Sequence, residues 1–167
     1  MIDDPLDLPL RRRIFDFVRN NPGTHFREIL RSLDLNIGQL DFHLNSLVKG
    51  EVLVKSEDSG KARFYVRDTF SSEEKKALGV LRRRIPRNIV LYLLRESESA
   101  PSDMIDHFDI SPGTLSYHLK KMEKAGILEV KVEGRKRSYS LADPGNMENL
   151  IVMFRSSLLD RFVDRVA

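Results

Sequence analysis

Lys120, Lys121 and Lys124 crowd one short stretch of sequence beside Thr114, Ser116 and Tyr117. On a helix turning about 100° per residue, with Leu115, Leu119 and Met122 inward, Gly113, Tyr117, Lys120 and Lys124 point nearly opposite, flanked by Ser116 and Lys121. Ammonium groups in that arrangement neutralise phosphates. Thr114, Ser116 and Tyr117, toward the N-terminal half, can reach base edges or thymine methyls. The amides opening such a helix favour a phosphate as well. A second basic group follows, Lys131, Arg135, Lys136 and Arg137 around Gly134, with more charge than a hairpin turn needs for solubility. A charge run is usually only a solvated face, but a basic turn directly after a basic helix points to nucleic-acid backbone contact.

A weaker version of the same arrangement occurs earlier. Gly38, Phe42, Asn45 and Lys49 share an outward face, with Gln39 and Ser46 beside them and Asp41 nearby, so this face is nearly neutral. Gln39 and Asn45 carry amides that can read adenine, whereas an outward Phe42 flanked by an acid suits a protein contact equally well. The hairpin after it offers Lys61 and Arg63 but also Glu57 and Asp58. His43 and His118 fall at the core edge of their helices and read as half-buried packing histidines that hydrogen-bond a neighbouring helix, with a phosphate contact as the alternative. Arg82, Arg83, Arg84 and Arg87 either widen the basic surface or pair with acids such as Glu73 and Glu74.

These residues sit in an internal repeat. NIGQLDFHLNSLVKGEVL, residues 36–53, aligns without gaps on SPGTLSYHLKKMEKAGIL, residues 111–128, at a constant offset of 75, the distance from His43 to His118. The same offset pairs Ile14 with Ile89, Val18 with Leu93, Thr24 with Ser99, Ile29 with Met104 and Val66 with Leu141. Each copy reads as three helices and a hairpin. In the first, Ile14, Phe17 and Val18 form an apolar stripe that ends at Asn21-Pro22-Gly23. Thr24 is expected to cap a second helix, and Asn36 a third. Gly50 is expected to end that third helix in a left-handed conformation. Strands near 52–56 and 63–66 flank a turn at Asp58-Ser59-Gly60.

In the second copy Ser111 is the N-cap and Pro112 the first helical residue. Its hairpin spans about 128–132 and 137–141. Ser71-x-x-Glu74 is a capping-box pattern opening a connecting helix, and Pro86 starts or kinks the next. After Asp143-Pro144-Gly145, the spacing of Met147, Ile151, Phe154, Leu158 and Phe162 predicts an amphipathic helix that packs on its own domain or forms a dimer seam. The resulting organisation is residues 1–70 as a first domain, 71–84 as a connecting helix, 85–142 as a second domain and 143–167 as a C-terminal helix.

With SPGTLSYHLKKMEKAGILEVKVEGRKRSYSL in the second copy and PGTHFREI, residues 22–29, in the first, the chain resembles winged helix-turn-helix regulators of the ArsR/MarR-like superfamily, especially archaeal ones. The resemblance implies a mainly α fold with small β-hairpin wings (α+β): two winged helix-turn-helix domains in tandem plus the C-terminal helix. It also implies a third helix in the major groove with the wing beside the backbone. The first copy departs from the pattern, with Ile37 in place of Pro112, Asp41 in place of Ser116 and Asn45 in place of Lys120.

The expected role is a DNA-binding transcriptional regulator that contacts double-stranded DNA through the second domain's third helix and wing, with the first domain assisting. The alternative is a protein-protein interaction adaptor, with transcription machinery or another protein as partner. RNA binding is weaker, since no aromatic stacking platform is visible. The chain is expected to be a monomer, or a homodimer through the C-terminal helix.

Composition narrows the alternatives. The 167 residues are 41% hydrophobic and 32% charged with a net charge of +3, which suits compact soluble cores. There is no cysteine, which excludes disulfides, thiolate metal sites and cysteine nucleophiles. Four scattered histidines do not make the ligand clusters of metal-sensing members, so no metal or cofactor is expected. P-loop, GxSxG and HExxH motifs are absent, so no enzyme is expected. No apolar run approaches a membrane span and the start has no secretory h-region, so a cytoplasmic protein without membrane contact is expected.

Overall fold

The computed structural model describes residues 4–58 and 60–153. The chain forms two compact units, Met1–Lys75 and Lys76–Ala167. The first contains α1 (Pro9–Asn20), α2 (Phe26–Ser32), α3 (Ile37–Lys49) and a hairpin of β1 (Leu53–Asp58) and β2 (Lys61–Val66). α4 (Ser72–Leu81) carries the chain across the boundary. Pro9 at the first helical position starts α1, where its missing N–H costs nothing. Ile14, Val18, Ile29, Leu40, Leu44, Leu47, Leu53 and Phe64 close into one core. Each such side chain contributes roughly 1.5–3 kcal/mol on burial. The stripe in α1 and the inward leucines of α3 are therefore what set these helices against each other.

The second unit contains α5 (Arg84–Glu96), β3 (Glu98–Ser99), α6 (Pro101–Phe108), α7 (Pro112–Lys124), β4 (Leu128–Glu133), β5 (Lys136–Leu141) and α8 (Pro144–Met153). Its sheet is antiparallel in the order β3-β5-β4. Every helix and hairpin strand of the first domain begins 75 residues before its counterpart, from Pro9 and Arg84 to Lys61 and Lys136. Even the short β3 has a precursor. Ser99 pairs with Tyr139, and at the same offset Thr24 forms an isolated bridge with Phe64.

That bridge corrects one expectation. Thr24 is fully buried and belongs to the sheet edge, so the cap of α2 passes to His25, whose Nδ1 accepts from the Glu28 amide at 3.2 Å. A second correction concerns the end of α3. Gly50 has φ −76°, and the left-handed residue is Glu51 at +59°. Gly50 is needed for room, because a Cβ there would lie 2.9 Å from Pro5 Cγ. In the second domain a glycine does occupy the left-handed position, Gly126 at +72°.

Other caps form as the side chains predict. Asn36 and Gln39 make a capping box on α3, and the Ser71 hydroxyl and Glu74 carboxylate make one on α4. Arg87 is buried in α5 and donates to the carbonyls of Leu81 and Arg82, satisfying the end of α4. In α8 the Asp143 carboxylate accepts from the Asn146 amide, Met147 and Leu150 are buried, and the helix packs on α5 of its own domain. Phe154, Leu158, Phe162 and the dimer seam expected of them lie outside the described residues. No helix among the described residues is long and apolar enough to cross a membrane.

Candidate nucleic-acid interface

α7 begins where the Ser111 hydroxyl accepts from the Thr114 amide at 3.1 Å and Pro112 fixes the first turn. Leu115, Leu119 and Met122 are buried, so Ser116, Tyr117, Lys120 and Lys124 are left exposed on the opposite side. Thr114 is half-buried, and its hydroxyl is 2.8 Å from that of Ser111, an engagement within the cap. Lys121 is half-buried with its ammonium 4.8 Å from the centre of the Tyr117 ring. From the N-cap of α5, Arg83 Nη1 donates to Tyr117 Oη at 3.2 Å. Hydrogen bonds from Lys121 and then Arg83 hold the Tyr117 hydroxyl below the ordinary phenol range.

The wing of this domain is the β4–β5 hairpin, which turns at Gly134, with φ +62°, and Arg135. Arg135, Lys136 and Arg137 are all exposed. Lys131 is paired with Glu133 at 2.9 Å on the same strand. Val130 and Val132 are exposed on β4, an apolar feature that the charge pattern of the sequence conceals.

In the first domain the corresponding side chains are placed differently. Phe42, 63% exposed, and Ile37, 67% exposed, stand on α3 with exposed Asp41, Asn45 and Lys49. The Gln39 side-chain oxygen accepts from the Asn36 amide, so the box that caps the helix uses its acceptor. Lys61 is exposed on β2, but Arg63 is half-buried and donates to the Gly23 carbonyl at 2.9 Å. Arg63 thus stitches β2 to the loop before α2.

The two repeat-related histidines correct a further expectation. Nδ1 of His43 and of His118 is buried without a hydrogen-bond partner among the described residues, so neither bonds a neighbouring helix through it. Each ring instead meets the preceding aromatic edge-on, Phe42 at 5.1 Å and Tyr117 at 5.1 Å between centroids. Burial first, then Arg83 and Lys121, depresses the His118 pKa, and burial then Arg11 depresses that of His43. The neutral imidazole is therefore favoured at both positions. Among the arginines near the boundary, Arg82 and Arg87 are buried, while Arg83 and Arg84 are exposed. No group of three or more potential metal ligands occurs among the described residues.

Two stretches of the chain match known families. Residues 9–78 match a family model described as an N-terminal HTH domain, and residues 86–130 match one described as bacterial regulatory protein, arsR family. An uncharacterized HTH-type transcriptional regulator of Methanocaldococcus jannaschii is 30% identical over 129 residues, 77% of this chain. The chain spans about a third, 32%, of that relative's length. Among solved structures, reduced HlyU from Vibrio cholerae is 19% identical with a TM-score of 0.44, covering 50% of this chain and 90% of that one. A transcriptional regulator homologue from Pyrococcus horikoshii is 22% identical with a TM-score of 0.42, covering 57% and 98%. The arsR model and the Methanocaldococcus relative both carry the description of a regulator.

Proposed function

From two winged helix-turn-helix domains in tandem, the second of which matches the arsR regulator model, we propose that the chain is a DNA-binding transcriptional regulator that contacts duplex DNA through α7 and the β4–β5 wing. The observation that carries the reading is the exposed cationic set of one domain: Lys120 and Lys124 on α7, opposite its buried leucines, and Arg135, Lys136 and Arg137 on the wing. A helix of this size fits the major groove, and wing cations serve the flanking phosphates. Base contacts would come from Ser116 and from Thr114, whose hydroxyl is shared with Ser111 in the cap, while the Tyr117 hydroxyl lies toward the flanking backbone.

In this proposal the first domain assists. Asn45, Lys49 and Lys61 are its exposed polar contacts, and Phe42 its apolar one. A second reading is favoured there by Phe42 and Ile37, both more than half exposed on a helix whose outward face has a single lysine. On that reading the first domain docks a protein of the transcription machinery while the second holds DNA.

Fluorescence anisotropy with duplex DNA across a salt series tests the proposal on the intact chain and on a Lys120→Ala, Lys121→Ala, Arg137→Ala variant. Tight binding that weakens steeply with salt, and loses about one unit of log-log slope per removed contact in the variant, is the expected result. Absence of binding at low salt would leave the adaptor reading for the whole chain.

A further inference from the structure

We propose that Arg83, Tyr117 and Lys121 form a preassembled clamp for a single backbone phosphate of duplex DNA, a role that rests on the DNA-binding reading above. Two cations from different elements converge on one exposed phenol: Arg83 donates to its oxygen at 3.2 Å, and the Lys121 ammonium lies 4.8 Å from its ring centre. Like charges so placed repel each other, so the arrangement gains most when an anion joins it.

The donor inventory fits a phosphate. The Tyr117 oxygen accepts from Arg83, which leaves the phenolic proton to donate outward. The guanidinium retains its other N–H groups, and the ammonium adds charge-assisted donors. Because His118 packs edge-on against the Tyr117 ring and is itself only 9% exposed, the phenol is held in place before DNA arrives. Such preorganisation lowers the entropic cost of binding.

The repeat supplies an internal comparison. At the constant offset of 75, Arg83, Tyr117 and Lys121 correspond to Leu8, Phe42 and Ser46 of the first domain. All three positions lose their charge or hydroxyl contact together, while the histidine behind them is kept as His43. The packing role is thus common to both domains, and the phosphate-directed groups belong to the second alone. Arg83 precedes the first helix of its domain, one of the arginines that the sequence alone leaves between widening the basic surface and pairing with acids.

The test is anisotropy of the full chain with a mixed-sequence duplex over a salt series, comparing Arg83→Gln, Tyr117→Phe and, as a remote control on α5, Arg95→Gln. Arg83→Gln is expected to reduce the log-log salt slope by about 0.9, the value of one lost phosphate contact. Tyr117→Phe is expected to keep the slope, since no charge changes, and to weaken binding about fivefold through one lost hydrogen bond. Arg95→Gln should leave both unchanged. Arg83 and Tyr117 are exposed, and matched thermal melts verify that the variants fold. If the unaltered chain binds with a steep slope and Arg83→Gln behaves as Arg95→Gln does, the clamp is overturned while DNA binding stands. If the unaltered chain binds no DNA at low salt, the DNA-binding reading itself fails and the clamp with it.

Discussion

Replacing Gly23 by alanine should loosen the first domain while leaving the second intact. Gly23 has φ +77°, and an added Cβ would stand 3.0 Å from Tyr65 Oη and 3.3 Å from two ring carbons. Left-handed backbone costs an L-residue roughly 1–2 kcal/mol. Tyr65 cannot retreat cheaply, because it is buried in β2 and donates to the Lys75 carbonyl at 3.0 Å, a bond worth about 1 kcal/mol. Alanine recovers about 0.4–1 kcal/mol by restricting the unfolded chain, so the net loss is about 1–2.6 kcal/mol. Hydrogen exchange resolved by segment should show first-domain core amides exchanging roughly five- to seventyfold faster, at about 1.4 kcal/mol per factor of ten. Gly134→Ala is the comparison, with φ +62° and nothing within 4 Å of the new Cβ, so it bears only the backbone cost. Equal losses in the two variants, each in its own domain, would refute the argument from Tyr65.

Glu51→Gly should stabilise the first domain by a few tenths to about 1 kcal/mol, because Glu51 is left-handed at φ +59° and its exposed pair with Arg67 is worth little; a raised urea midpoint would show it. Ser111→Ala removes the α7 cap and should cost the second domain about 1 kcal/mol, read in the same way. His118, whose pKa lies below its ordinary 6.5, binds fewer protons folded than unfolded just below that pH. Its contribution is therefore present above pH 6.5 and is lost as the pH falls through the folded value. His118→Gln should flatten that part of the stability profile in melts taken down to about pH 5, and an unchanged slope would contradict the assignment.

The repeat made most of the architecture legible, because helix and hairpin positions follow from apolar spacing and turn residues that recur at one offset. The caps at Asn36, Ser71 and Ser111 were readable from local chemistry. What escaped depends on distant partners. β3 has only two residues and exists because β5 pairs with it, and Thr24 leaves its cap position for the equivalent bridge to Phe64. The same limit applies at the candidate interface. Spacing predicts the outward direction of Tyr117, Lys120 and Lys124, and of Phe42 and Asn45. It does not reveal that Thr114 and Gln39 are engaged in caps or that Arg63 holds the Gly23 carbonyl. Nor does it bring Arg83 onto Tyr117 from a position 34 residues earlier, a contact made only by packing α5 beside α7.

The most direct test of the central proposal is an amide chemical-shift titration of the intact chain with a short mixed-sequence DNA duplex. The account predicts the largest changes in residues 112–124 and 134–137, with smaller ones on α3 and the first wing. Changes confined to the first domain, or none at low salt, would contradict the assignment of α7 and the second wing as the surface that meets DNA.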